Sequence, residues 1–405
     1  MRVKMFFLIL ALAVSSFVHA WETKIESSLE IRGAGYMQKK TGTEDGYADI
    51  RFLPKITLMP SDKFLLYFEP EIMIGTKGFA GVERDIVDNN TRKPIIGLRE
   101  AYGEYNRNSV RLRVGKQLFT SWSVTDTVSP MNNINLRDML DIVWWRYLAV
   151  PAVDLKIGGN TFLEAVVIPW ITPSKLLLPG SRWERDLGGL QLADQNLRSR
   201  NNAQYALRAG TIVNGFSLAV SYYRGYFSSY RLDGMILTPT YQPEEVYAAS
   251  VNEGVAGFNL RAEAGYFNQT GDDKFIQYVV GADRQWSQLF RLTDSLFVLA
   301  QYCGEKITQV NNPTGLSTID FRRIFKNSIM AKAEYTPNEN GPWRLRLEAS
   351  CNLSDSDLYV QPSIGWRQDK YEIKTGIDLF VGPKESFFGG YRDNNRLFAI
   401  FTRHF

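Results

Sequence analysis

Residues that titrate near neutrality or ligate metals are almost missing from this chain. There are two histidines, His19 and His404, and two cysteines, Cys303 and Cys351. Nucleophilic and acid–base catalysis of the Ser-His or Cys-His kind needs a placed imidazole, and zinc sites draw on His and clustered Cys. The two cysteines stand far apart with no ligand spacing between them, and no Cys-x-x-Cys-His haem attachment occurs. These absences point away from an enzyme and from any cofactor or metal. Charge is plentiful instead, with 47 Lys+Arg against 43 Asp+Glu. Much of it falls at alternate positions: Arg111 with Arg113, Arg344 with Arg346 and Glu348, Arg261 with Glu263. Arg51, Arg99 and Arg208 have similar surroundings. Charges spaced this way can set the field inside a water-filled passage or pair across strands and stiffen a wall. Arg111 and Arg113 are the strongest candidates for meeting a solute, because adjacent like charges repel unless something anionic visits.

The elements that place these charges are strands. Ile25, Leu29 and Ile31 alternate with Glu26, Glu30 and Arg32. Trp343, Leu345 and Leu347 alternate with Arg344, Arg346 and Glu348, and Tyr371, Ile373 and Ile377 with Glu372, Lys374 and Asp378. A period of two over ten or more residues means a strand with one apolar and one polar face, at the length a tilted strand needs to cross a bilayer. An Arg or Lys turned to lipid at the midplane costs roughly 2–4 kcal/mol, so the apolar face is expected outside and the charged face inside. The leading residues fit export. Arg2 and Lys4 precede an apolar run from Met5 to Val14 and the small-residue site Val18-His19-Ala20, the order of a cleaved signal peptide over residues 1–20. Its removal takes the formal charge from +4 to +2, since Arg2 and Lys4 are its charged residues. Near-neutrality and the lack of a basic run leave no footprint for nucleic acid.

Residues 21–405 then read as one domain, an all-β transmembrane antiparallel barrel of about eighteen strands, sixteen being the alternative. Turn-like connections near residues 60–62, 106–108, 158–160, 214–215, 252–254 and 368–370 alternate with longer ones at 76–93, 118–144, 171–202, 228–244, 305–324 and 383–394. Short turns on one rim and long loops on the other are the mark of an outer-membrane barrel. Tyr67, Tyr102, Tyr105, Trp145, Tyr222, Trp286 and Trp343 are candidates for its aromatic girdles. Strand parity turns Cys351 to lipid and Cys303 to the lumen, which argues against a disulfide. Two loops carry their own chemistry. Trp122, Asp126, Asn135, Arg137 and Asp138 in the first, and Trp183 and Arg185 in the second, are expected to narrow the bore.

Several stretches resemble a bacterial outer-membrane, porin-like β-barrel family of unknown function, similar in pattern to alginate-export and substrate-specific porins. They are Leu98-Arg99-Glu100-Ala101-Tyr102, Leu112-Arg113-Val114-Gly115-Lys116-Gln117, Trp122 with Asp126, Ile134-Asn135-Leu136-Arg137-Asp138, and the run from Phe162 to Trp170. The resemblance covers most of residues 95–300 and implies a channel without naming its solute. The terminal Phe405 is similar to the signal that barrel-assembly machinery reads in Gram-negative bacteria. The expected activity is passive diffusion of small hydrophilic solutes or ions through a mixed-charge lumen with a slight lean to anions. The expected partners are bilayer lipids, the assembly machinery and the solute, with a homotrimer left open. The competing reading is a barrel that sheathes a periplasmic or extracellular partner such as a redox protein.

Overall fold

The structure is a computed structural model that describes residues 21–40, 42–76, 80–184, 190–193, 197–311 and 321–405. The leader expected over residues 1–20, and Arg185, lie outside the described residues. Eighteen antiparallel strands close into a barrel. In chain order they begin with β1 (Glu22–Tyr36), β2 (Gly46–Ser61), β3 (Phe64–Gly75), β4 (Lys93–Arg107), β5 (Val110–Gln117) and β6 (Val150–Gly158). Next come β7 (Phe162–Ile168), β8 (Gln204–Val213), β9 (Phe216–Asp233), β10 (Ile236–Val255), β11 (Phe258–Gln269) and β12 (Lys274–Ser287). The last six are β13 (Ser295–Gln309), β14 (Asn327–Thr336), β15 (Trp343–Asn352), β16 (Asp357–Gln368), β17 (Tyr371–Val381) and β18 (Arg396–His404). Closure runs between β1 and β18, from Ser28 opposite His404 to Tyr36 opposite Arg396.

Alternation decides which way each side chain faces. Ile31 and its cross-strand partners Ile50 and Phe401 share the outer face, while Arg32 and its partner Asp49 share the inner one. Outside, Val220, Leu163 and Leu397 are each more than half exposed. Leaving such a surface in water forfeits about 25 cal/mol for every Å² of it, so the band belongs against hydrocarbon. Short turns at 62–63, 108–109, 159–161, 214–215, 256–257 and 369–370 lie on one rim. Asn214 (φ 51°) and Gly215 (φ 91°) supply the two left-handed positions of a tight hairpin turn. On the other rim the connections 76–92, 118–149, 169–203, 310–326 and 382–395 are long.

Local details depart from the sequence expectation. Residues 228–244 are not a loop. There β9 and β10 stay paired from Ser217–Asn252 out to Asp233–Ile236 and turn at Gly234 (φ 65°). Tyr230, Leu232, Ile236, Leu237 and Thr238 favour a pleated ribbon, and their polar neighbours had resembled loop composition. Tyr67, Tyr102 and Trp145 point inward rather than into a girdle. Tyr67 stacks on Tyr102 at 5.2 Å beneath Arg113, and Trp145 sits in the loop 118–149. Tyr222 with Tyr247 and Phe258 with Trp286 do pack on the outer face. Both cysteines are free, and Cys303 packs inward against Val128, Val279 and Met330.

Candidate functional site

The loop 118–149 turns into the barrel and crosses its bore. Its entry is apolar: Phe119, Trp122, Met131 and Ile134 are buried with Val166, Ala206 and Phe267 from the wall. Residues 136–138 and 146–148 pair as a small hairpin within the lumen, and Lys175 from the loop 169–203 adds a third edge through backbone bonds with Arg137 and Met139. The backbone groups freed by leaving the wall are thus taken up between loops.

Four charged contacts tie this inner loop to different parts of the wall. On β11, Glu263 is 2% exposed and accepts bonds from the Val124 and Thr125 amides (2.5 and 2.9 Å), the Ser129 hydroxyl (2.6 Å) and the Met131 amide (3.2 Å). Asp138 meets Lys93 on β4 at 2.8 Å and Arg146 at 3.4 Å, and Arg146 reaches Glu71 on β3 at 2.7 Å. Asp141 accepts from the fully buried Arg396 on β18 at 2.7 Å, and Arg396 also donates to Asp378 on β17 at 2.6 Å. Asp126 pairs with Lys332 on β14, the one contact of the four whose side chains both remain about a third exposed. Burial opposes ionisation of Asp138 and Asp141, but Lys93 and Arg146 in one case and Arg396 in the other outweigh it, and both carboxyls are held below the usual carboxylate range. In the loop 76–92, Asp88 is held low in the same way by Lys175 and Lys116.

The loop does not fill the bore. A gap of about 430 Å³ remains between it and the wall formed by β1, β2 and β13–β18. Arg32, Arg51, Arg146, Lys332 and Lys374 line it against Glu30, Asp126 and Glu348, so cations outnumber anions. The same gap is bordered by the half-buried apolar run Ile142-Val143-Trp144-Trp145 of the inner loop. Toward the short-turn rim a second space of about 450 Å³ opens beside Glu334, Glu339 and Arg344.

The remaining expected site residues take varied places. Arg111 bonds Asp154 at 2.8 Å and Glu164 at 3.0 Å, and Arg113 bonds Glu104 at 2.8 Å, so carboxylates answer both adjacent charges. Arg208 pairs with Glu164 at 2.9 Å and lies 5.0 Å over the Trp122 ring. Arg261 pairs with Asp283 and donates to the Val124 carbonyl, and Arg99 meets Glu69 at 3.2 Å. Arg346 lies between Glu334 (2.9 Å) and Glu348 (3.6 Å), while Arg344 donates to the Gly341 carbonyl. Trp122 and Trp183 are buried props rather than parts of the opening; Trp183 packs on Tyr36, Phe380 and Tyr391. Asn135 accepts from the Phe119 amide at 3.1 Å, and Arg137 lies 5.4 Å from the Trp145 ring and lines a separate small cavity with Asn133, Ser174 and Tyr226. The alternation of Tyr371, Ile373 and Ile377 with Glu372, Lys374 and Asp378 put Lys374 on the inner wall, but Arg32, Arg146 and Arg396 were passed over as site residues. The signal for Arg146 was present in Trp144-Trp145-Arg146, an aromatic pair and a cation inside a long loop.

No family model matches the sequence, and no curated protein matches it. Solved structures do. OccK9 (OpdG) of Pseudomonas aeruginosa superposes with a TM-score of 0.51 at 11% identity, over 95% of this chain and 98% of that one. OpdQ of the same organism gives 0.50 at 9% identity, over 96% and 98%. A mutant of the Rh. blastica porin gives 0.44 at 11% identity, over 95% and 100%. The first two share strand architecture with this chain across nearly its whole length. The fold is a closed, eighteen-stranded, porin-like β-barrel.

Proposed function

We propose that the protein is an outer-membrane channel through which small hydrophilic solutes diffuse passively. The observation that carries this reading is the gap of about 430 Å³ between the inner loop and the β1, β2 and β13–β18 wall, with charge on both sides. A barrel that sheathed a partner would need its bore clear, whereas here the chain's own loop occupies much of it and leaves only the space beside it. The excess of cations over anions around the gap supports a modest preference for anions. Residues 1–20 are assigned to export and the half-exposed Phe405 to recognition by assembly machinery. Purified protein placed in a planar bilayer should show discrete conductance steps, and a salt gradient should give a reversal potential of the anion-selective sign. Electrically silent protein that is correctly folded in the bilayer overturns the proposal.

A further inference from the structure

We propose that the gap is also a binding site for organic monoanions that join one carboxylate to a flat apolar body, arylcarboxylates being the simplest class. This rests on the channel reading and names the solute chemistry its passage favours. Most cations around the gap are already engaged with carboxylates. Arg32 bonds Asp49 at 2.9 Å, Arg51 lies 3.3 Å from Glu71, Arg146 bonds Glu71 at 2.7 Å, and Lys332 holds Asp126. Lys374 differs. Its ammonium donates to the neutral Gln361 amide oxygen at 3.1 Å, and among the described residues no carboxylate oxygen lies within 4.0 Å of it. An ammonium on the edge of such a gap with donors to spare is a ready carboxylate partner.

Beside it the gap is apolar. Phe398 links the two features, its ring 5.6 Å from the Lys374 ammonium and 5.7 Å from the Trp144 ring. Ile142, Val143, Trp144, Trp145 and Phe325 continue that surface, each half-buried and bordering the gap. A path for hydrated ions gains nothing from apolar walls, which oppose wetting. A solute with an apolar body gains the hydrophobic contribution of covering them, and an aromatic one can also stack on Trp145. The volume falls in the range of small-molecule sites. Glu30, Asp126 and Glu348 around the same space disfavour a second carboxylate on the solute.

The test is single-channel recording in potassium chloride with benzoate, acetate or benzyl alcohol added to one side. Benzoate should interrupt the current at concentrations about tenfold below those at which acetate does, a difference of about 1.4 kcal/mol in binding, and benzyl alcohol should not interrupt it. Lys374→Gln should abolish the benzoate events, Trp145→Ala should shorten them, and Lys370→Gln in the turn on the opposite rim should leave them intact. Equal action of benzoate and acetate, or benzoate events that survive in Lys374→Gln, overturns the site. Saturable quenching of tryptophan fluorescence by benzoate in detergent reads the site without conduction. A silent pore with quenching that depends on Lys374 overturns the channel and keeps the site, whereas no quenching overturns the site.

Discussion

Replacing Glu263 should unfasten the inner loop while leaving the barrel closed. The carboxylate takes four bonds from three successive parts of the loop, at 2.5, 2.9, 2.6 and 3.2 Å, with its side chain buried on β11. Bonds to a charged acceptor contribute about 1.5–3 kcal/mol each, and a buried donor left without a partner costs about 1–3 kcal/mol. In Glu263→Ala the buried Ser129 hydroxyl can rotate away from the lost acceptor and Val124 is only half-buried, so the two buried amides, Thr125 and Met131, carry most of the loss. That gives about 2–6 kcal/mol. Since 1.4 kcal/mol is tenfold in an equilibrium, even the lower figure raises the undocked fraction roughly thirtyfold. Glu263→Gln should fall between, because one amide oxygen can still serve Val124 and Thr125 while the NH₂ group opposes the Met131 amide. The assays are single-channel recording, in which the alanine variant should show a larger and noisier conductance, and limited proteolysis, which should newly cut near residues 124–131. Identical current noise and an identical cleavage map in Glu263→Ala would show that apolar packing around Trp122 and Met131 holds the loop alone.

Other perturbations separate the wall from the passage. Changing Arg111 to Ser should lower stability by about 3 kcal/mol, because Asp154 is buried beside it and a broken buried pair leaves an uncompensated charge; the midpoint of heat-induced barrel unfolding on gels reads this, with little change in reversal potential. Lys332→Ala should do the opposite. Its pair with Asp126 is about a third exposed and worth at most about 1 kcal/mol, so stability should hold while ion preference moves toward cations. Loop docking should tolerate mild acid. Asp88, Asp138 and Asp141 have folded values below their unfolded ones, so their stabilisation is complete above the unfolded carboxylate value of about 4 and is lost as pH falls through the depressed folded values. Proteolysis of the loop measured from pH 7 downward should therefore rise only below about pH 4; release near pH 6 would remove these carboxylates from the account.

Legibility in the sequence followed the range of the interaction. The outward and inward faces of β1, β15 and β17 were readable because a strand's side chains alternate by geometry that involves only neighbouring residues. The turn at Asn214-Gly215 was readable because left-handed backbone selects those residue types. The long ribbon through 228–244 was missed because its outer half bears polar and turn-forming residues, and pairing between the two strands overrides that composition. Among the site residues, parity alone could put Arg51, Arg111 and Arg346 on the inner wall but could not say which charges would find partners.

Period-two patterning together with the alternation of short and long connections thus determined a barrel and its two rims, since strand facing and turn length are both set by neighbouring residues. Tertiary structure decided that the loop 118–149 turns inward, that Glu263, Lys93, Arg396 and Lys332 receive it, and that the gap lies beside β1, β2 and β13–β18. Those outcomes depend on charges far apart in the chain meeting across a bore that exists only after closure, and residue spacing along the chain does not encode such meetings.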